Sequence, residues 1–474
     1  MKQTGSTLLK SFVSYLLPVA ICVFASSCKK DSFITSSDAR ISTSVDSLKY
    51  DTVFTSIGSV TQAFKISNPN NQKLLLSKVK LMGGVTSSFK INVNGVLSTE
   101  ASNIEIAAED SIYVFVTVHI NPNAANLPFI VKDSIQIQYN GNSRFVQLEA
   151  FGQNANFLRN RIIKGNITWT NNLPYVILGS LQVDTTATLI IESGCKIYSH
   201  ADAPFIVDGT LRINGIKQDK VIFSGDRLDE EYRDLPASWP GVYFRGTSKN
   251  NVLNYTSFKN AYQAVVAEQP SINANPKIIL HQCTIDNAYD AGILCVNSSV
   301  VADNSLISNC GKNIQLIYGG SYTFTNCTVA GYSSLITHKN PVLTVNNFAS
   351  QDGTVFTANL SATFRNCVIW GESGLVEDEI TVAKQGSNIF NVTFDHCLYK
   401  AKTDPGNSIF TAPVKNMKPM FDSIDVARRY YDFHMTKSPN PPGIDKGVLT
   451  VFSKDLDDNN RNNGLPDLGC YEKQ

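Results

Sequence analysis

The chain has 474 residues, 43% of them hydrophobic, which supplies one or two packed cores and excludes a disordered polymer. Lys and Arg total 41 against 40 Asp and Glu, so there is no basic surplus to hold phosphate backbones, and nucleic acid is excluded as an expected partner. The 25 Phe and 18 Tyr, set among short runs of Val, Ile, Thr and Asn, favour strands and turns, and no stretch sustains a helical period.

The first segment reads as targeting rather than structure. Lys2 and Lys10 precede an apolar stretch from Ser11 to Phe24, then Ala25-Ser26-Ser27-Cys28. The stretch is too short and interrupted to span a membrane. Small residues directly before a Cys resemble the lipobox of bacterial lipoproteins, although Ala25 stands where Leu is commoner. The resemblance implies that residues 1–27 are a signal peptide removed on export. It further implies that Cys28 is acylated on its thiol and new amino group, three chains giving stable membrane anchoring. Lys29-Lys30-Asp31 resembles the charged tether of Bacteroidetes lipoproteins, some of which face outward. The expected location is the cell envelope, as an outer-membrane lipoprotein facing the periplasm or the surface. Residues 28–40 are polar and read as a tether.

Residues 41–152 change to alternating runs broken by turns. Thr61 to Ser67 precedes Asn68-Pro69-Asn70-Asn71, and Ser111 to Val118 precedes Asn121-Pro122-Asn123. Ser134 to Tyr139 leads through Asn140-Gly141-Asn142 into Phe145 to Ala150, a hairpin signal. This spacing predicts an antiparallel β-sandwich. The order of strands and Asn-Pro turns resembles the immunoglobulin-like domains of the Hydin type. Residues 153–170 read as a connector.

From residue 171 to 425 the periodicity is different. Gly179-Ser180-Leu181-Gln182-Val183 recurs as Gly209-Thr210-Leu211-Arg212-Ile213. Cys283, Ser305 and Cys327 follow one another at 22 residues within similar hexapeptides, Cys367 and Cys397 continue the series, and Thr256 precedes it. Such a repeat is the length of one coil of three short strands, with equivalent positions stacked at about 4.8 Å. The run from Leu181 to Phe244 resembles the right-handed parallel β-helix of the pectin-lyase-like superfamily. The fold class expected is therefore all-β: a β-sandwich, then a right-handed parallel β-helix solenoid, then a C-terminal cap. The cap is residues 426–474, where Asp432-Phe433-His434-Met435, Gly443-Ile444-Asp445 and Pro466-Asp467-Leu468-Gly469-Cys470-Tyr471-Glu472 resemble the terminal segment of bacterial β-helix proteins. There Cys470 replaces the usual Ala, and Asn440-Pro441-Pro442 departs from the family pattern.

The cysteines find a packing role in this frame. Cys283, Cys327, Cys367 and Cys397 share one repeat position and are expected to stack in the core as small side chains. Cys367 and Cys397 are the one pair that could be neighbours, and in-register stacking gives poor disulfide geometry. No C-x-x-C or His/Cys cluster suggests a zinc site, and no cofactor motif is recognised.

β-Helix enzymes that cut acidic polysaccharides need paired carboxylates, a calcium cluster, or a Lys/Arg base on one exposed sheet. No such column is legible in the repeats, so catalytic residues are not assigned and the expectation leans away from an enzyme. The most function-like feature is the charged excursion 225–240. Asp226, Arg227, Asp229, Glu230, Tyr232 and Trp239 are its candidate ligand-binding residues, on the reasoning that aromatic faces and carboxylates suit a sugar or a peptide. The competing account pairs Arg227 and Arg233 with the acids and packs Trp239 over the coil. A second insertion, Glu372 to Asn388, reads as a solvated loop. Asp-Ser/Thr-apolar tripeptides, such as Asp110-Ser111-Ile112 and Asp133-Ser134-Ile135, resemble the O-glycosylation site of exported Bacteroidetes proteins and equally suit turn-to-strand starts. Three functions stay open. The first is a non-catalytic surface module binding a polysaccharide or an envelope protein, with the membrane reached through the lipid anchor. The others are a polysaccharide lyase or hydrolase and a structural envelope component.

Overall fold

The computed structural model describes residues 32–55, 58–121, 129–332, 335–372, 374–437, 440–461 and 464–473. Cys28 and residues 1–27, expected as a signal peptide, lie outside them. The chain divides into two compact units, 1–153 and 154–474. Neither unit contains an α-helix among the described residues.

The first unit has two five-stranded sheets. One orders strands 42–43, 62–67, 111–118, 89–93 and 96–97, all antiparallel. The other orders 47–54, 142–153, 129–139, 74–81 and 100–106. Its first pair is parallel, a long connection away. Alternation decides the faces: in Ser111–Val118, Ile112, Val114, Val116 and Val118 are buried while Tyr113 and Phe115 are exposed. The inward residues of both sheets form one core, and the Tyr50 hydroxyl donates to Val116 O at 2.5 Å across it. Residues 32–40, expected as a free tether, dock on this unit instead. Ala39 is buried, and the Asn140 amide donates to Ile34 O and Ser36 O.

The second unit is the expected parallel β-helix, a 26-stranded array in which each strand pairs with its equivalent one coil on. It starts earlier than expected. Residues 156–163 and 166–169 pair in parallel with 175–183 and 188–191, so most of the segment expected as a connector is the first coil. Three sheets run along the helix. A typical coil contributes Asn251–Asn254 to the first, Thr256–Lys259 to the second and Gln263–Glu268 to the third.

Inward positions stack like on like. Phe324, Phe364, Phe394 and Phe410 follow one another at 5.2, 5.0 and 4.8 Å between ring centroids, with interplanar angles of 7–13°. Cys283, Ser305, Cys327, Cys367 and Cys397 occupy one buried column, as the pairing of the next residues, Thr284, Leu306, Thr328, Val368 and Leu398, requires. All eight described cysteines are buried free thiols.

From the coil of Asn251–Asn254 onward, one left-handed residue turns the chain between the first and second sheets. Tyr255, Gln282, Asn304, Asn326, Asn366 and His396 take φ of 40–52°, and a left-handed position suits Asn. Each donates its N–H to the next coil, as Asn304 does to Thr325 O at 3.0 Å. A second left-handed series, Asn260, Asn287 and Asn309, ends the second-sheet strands.

The C-terminal segment runs along the flank rather than across the last coil. It lays Phe433, Met435, Leu456, Leu468 and Cys470 on the outward residues Leu306, Ala330, Val368, Trp370 and Leu398 of the second sheet. Those outward side chains are apolar over successive coils, so the segment is needed there to remove them from water. The turn residues hold it: Asn366 exchanges hydrogen bonds with Val448, Arg461 Nε donates to Asn304, and Gln282 donates to Asp455 O. The loop expected as solvated at 372–388 is partly buried too. Glu379 is fully buried, 2.9 Å from His338 Nε2 and 3.7 Å from Lys400 Nζ.

Candidate functional site

The excursion residues chosen from sequence are mostly satisfied within the protein. Trp239 is 1% exposed; its indole N–H donates to Lys259 O at 2.8 Å and its ring stacks on Phe223. It is a core residue and offers no face to a ligand, which corrects its assignment. The cause is its register: Trp239 bridges Ala261 of the next coil, so it lies on the inward frame. Asp226 pairs with His200 Nδ1 at 2.7 Å, and burial pushes its carboxyl above the usual range. Arg227 holds Asp229 through two hydrogen bonds of 2.9 and 3.0 Å and covers the Tyr232 ring at 3.9 Å. Glu230 remains exposed. The set named from sequence therefore does not converge on one surface.

The end of the excursion does reach a site. Asn260 Nδ2 donates to Arg233 O at 2.7 Å and Asn287 Nδ2 to Asp234 O at 2.9 Å. These amides hold Asp234 at the rim of a cleft of about 420 Å³ on the outer face of the second sheet. The floor is Lys259 and Asp286, which are in register one coil apart. The Asn260–Asn287–Asn309 series forms one wall, and Ala427 to Arg429 with Tyr431, from the flank segment, forms the other. Asn287 Nδ2 also donates to Asn260 Oδ1 at 2.8 Å, so the amides are fixed in a ladder. Asp286 Oδ1 accepts from Ser308 Oγ and Asn309 Nδ2 at 2.7 and 3.2 Å. Burial raises its pKa, and the charge of Asp234 adds to the rise while Lys259 and the two donors oppose it. Lys259, Arg428 and Arg429 thus bring three cations against two acids around one opening.

Sequence reasoning missed this site because its walls are far apart in the chain. The Asn column and the outward alternation of Lys259 and Asp286 were signals; the arginines carried none, since no repeat links them to the coils.

A charged column that the repeats did not reveal also exists. On the first sheet, Asn254, His281, Asp303, Thr325, Arg365 and Asp395 are in register. Its charges pair along the stack: His281 with Asp303, and Arg365 with Asp395 at 2.8 Å. The Asp303 partnership raises the His281 pKa. Asp303 is 3% exposed, so the column is an internally neutralised ladder and not an open pair of acids. Among the described residues no group of three or more His, Cys, Asp or Glu is placed to hold a metal ion.

Of the Asp-Ser/Thr pairs, Asp110-Ser111 marks a strand start, whereas Asp133-Ser134 lies inside the strand 129–139; both Asp residues accept the N–H of the following Ser at 2.7 Å.

No curated protein matches the sequence. One solved structure, of a family 123 glycoside hydrolase from Clostridium perfringens, aligns at 10% identity over 24% of this chain and 25% of that chain, with a TM-score of 0.17. This chain thus spans a quarter of that protein, and a likeness so slight carries no functional weight. Residues 164–329 match the family described as right handed beta helix region, the architecture that the parallel pairing displays.

Proposed function

We propose that this protein is a lipid-anchored component of the bacterial cell envelope whose β-helix binds an acidic glycan segment in the flank cleft without cleaving it. The observation that supports the ligand class is the convergence of Lys259, Arg428 and Arg429 with the Asn260–Asn287–Asn309 amides. An arginine fork matches a sugar carboxylate in two parallel hydrogen bonds. Asn amides donate and accept, as sugar hydroxyls require. The anchor rests on Ala25-Ser26-Ser27-Cys28.

Calorimetric titration of the full chain with oligogalacturonates tests the reading. Binding weakened by salt, and about tenfold by Arg429→Ala, is expected; an unchanged affinity in that variant would sink it. Cys28→Ala should release the protein from membranes, and its retention there would refute the anchor.

One observation favours cleavage as a second reading. Asp286 is a carboxyl of raised pKa lining the same cleft as Asp234, and glycoside hydrolysis uses an acid together with a second carboxylate. New reducing ends produced by the wild type but not by Asp286→Asn would establish it.

A further inference from the structure

The flank segment meets an early coil through one charged contact that lies outside the cleft. Lys217 stands in the turn between strands Thr210–Asn214 and Val221–Gly225, and its Nζ touches Asp457 Oδ1 of the flank segment. Both ends of the contact are fixed by their own backbones. The Asp219 N–H donates to Ile216 O at 3.0 Å and closes the turn around Lys217. The Asp457 N–H donates to Asp455 Oδ1 at 2.8 Å, and Asp455 is fully buried.

A third group engages the same carboxylate. His434 Nε2 lies 3.0 Å from Asp457 Oδ2, and its Nδ1 lies 2.5 Å from Asp432 Oδ1. Ionised carboxylates only accept, so a ring held between two of them donates from both nitrogens. The ring is stacked on Tyr471 at 3.8 Å, which fixes its plane. The side chains of Lys217 and Asp457 are 28% and 29% exposed, whereas the ordinary surface pair Lys402–Glu377 is 69% exposed at both ends. Burial, then the neighbouring charge of Lys220, lowers the Lys217 pKa, with Asp455 and Asp458 opposing. Lysine is a nucleophile in its neutral form, which this favours.

We propose that Lys217 and Asp457 join in an amide, an intramolecular cross-link that the fold itself promotes, with His434 as the group that polarises the carboxyl. Nζ attacks Asp457 Cγ. The charge that gathers on Oδ2 is met by the His434 Nε2–H, as an oxyanion is met by a fixed donor. A C–N bond forms, a C–O bond breaks, and Oδ1 departs with two of the three ammonium protons. Ammonium and carboxylate thus give one amide and one water, with no oxidant, reductant or activated donor. Two reactants held in contact reach effective molarities of about 10⁵–10⁸ M, which offsets the ease of amide hydrolysis in water. The product ties the flank segment over the apolar residues it covers. No disulfide serves that purpose among the described residues, whose cysteines are all free thiols.

Tryptic mapping of the denatured full chain tests the link. Acylated Lys217 is no longer cleaved, so Ile213–Lys220 should be recovered joined to Asp455–Arg461, at their summed mass less one water. Lys217→Arg keeps the cation and removes the attacking amine; it should release Asp455–Arg461 alone. His434→Phe keeps a ring on Tyr471 and removes the donor, and the joined peptide should fall from the main species to a minor one. Separate, unmodified peptides from the wild type overturn the proposal. So does a water loss confined to Asp455–Arg461, the mark of a cyclic imide within that peptide. A joined pair that survives Asp457→Ala also overturns it, and undiminished linkage in His434→Phe overturns the part assigned to His434. The wild-type map decides the link itself even if a variant fails to fold.

Discussion

The two units bury similar side chains by different rules. In the sandwich, spatial neighbours are unlike and distant: strand 47–54 pairs with 142–153, and Tyr50 bonds Val116 of the other sheet. In the helix each residue meets its own equivalent one coil on, as Ile307 meets Val329 and Val329 meets Ile369. A sandwich position answers to several different partners, whereas a helix position answers to its column. Inside, this produces ladders of Phe and Cys; outside, it produces the row of Asn that walls the flank cleft. The same rule makes the helix intolerant of one wrong residue, because both neighbours in the column are affected.

The largest expected effect follows from that intolerance. Val329→Asp places an unpaired charge at a fully buried point between Ile307 and Ile369, a cost of several kcal/mol. Scanning calorimetry should lose the helix transition and keep that of the sandwich, since the two are compact units. Val114→Asp, equally buried in the sandwich, should do the reverse. A Val329→Asp protein that melts like the parent would break the column picture.

Trp239→Ala comes next. The indole fills space above Phe223 and bonds Lys259 O, so its removal should cost about 3–5 kcal/mol, read as a lowered denaturation midpoint of the helix. Its case shows where legibility ended. The column of Cys283 and Cys327 was readable because similar hexapeptides place Cys283, Ser305 and Cys327 at 22-residue intervals. Trp239 stands at the end of a long charged insertion, where local composition says surface and only the register with Ala261 says core. The flank cleft was illegible for a related reason. Asn260, Asn287 and Asn309 announce a turn column, but Arg428 and Arg429 reach it through a segment outside the repeat. The left-handed turn residues were recognisable as turn formers; that Gln282, Asn304 and Asn366 also hold the flank segment was not, because their partners carry no period.

A pH dependence should also separate the units. Burial pushes Glu472 up to about 7; the Asp467 N–H that it accepts and Arg461, 3.0 Å away, oppose the rise, while the charges of Asp467 and Asp455 add to it. A carboxyl whose folded pKa is raised contributes stability that is complete below its unfolded value near 4.5 and is lost as pH rises through about 7. The helix should therefore become less stable between these values, by about 1–3 kcal/mol. Glu100 of the sandwich moves the other way, lowered by Lys78, so its contribution acts below that window. Melting temperatures measured across the window should fall for the helix and flatten in Glu472→Gln. A sandwich transition that falls in parallel would remove the distinction.

The smallest effect tests the column rule at its most permissive point. Cys327 lies between Ser305 and Cys367, and Thr256 occupies the same slot further up. Its thiol lies 3.3 Å from Thr325 O and 3.7 Å from Ala302 O, so it acts as a small side chain with a weak donor. A serine hydroxyl can make the same bond, and Ser305 already does the equivalent to Asp303 O at 2.8 Å. Cys327→Ser should then cost about 1 kcal/mol or less, far below a typical core polar substitution. If the slot selects by size and donor, Cys327→Leu should be the worse change, because overpacking would strain both neighbours in the stack. Equal losses for Ser and Leu would mean that the position is set by something other than its column, and the contrast with the sandwich would lose its clearest case.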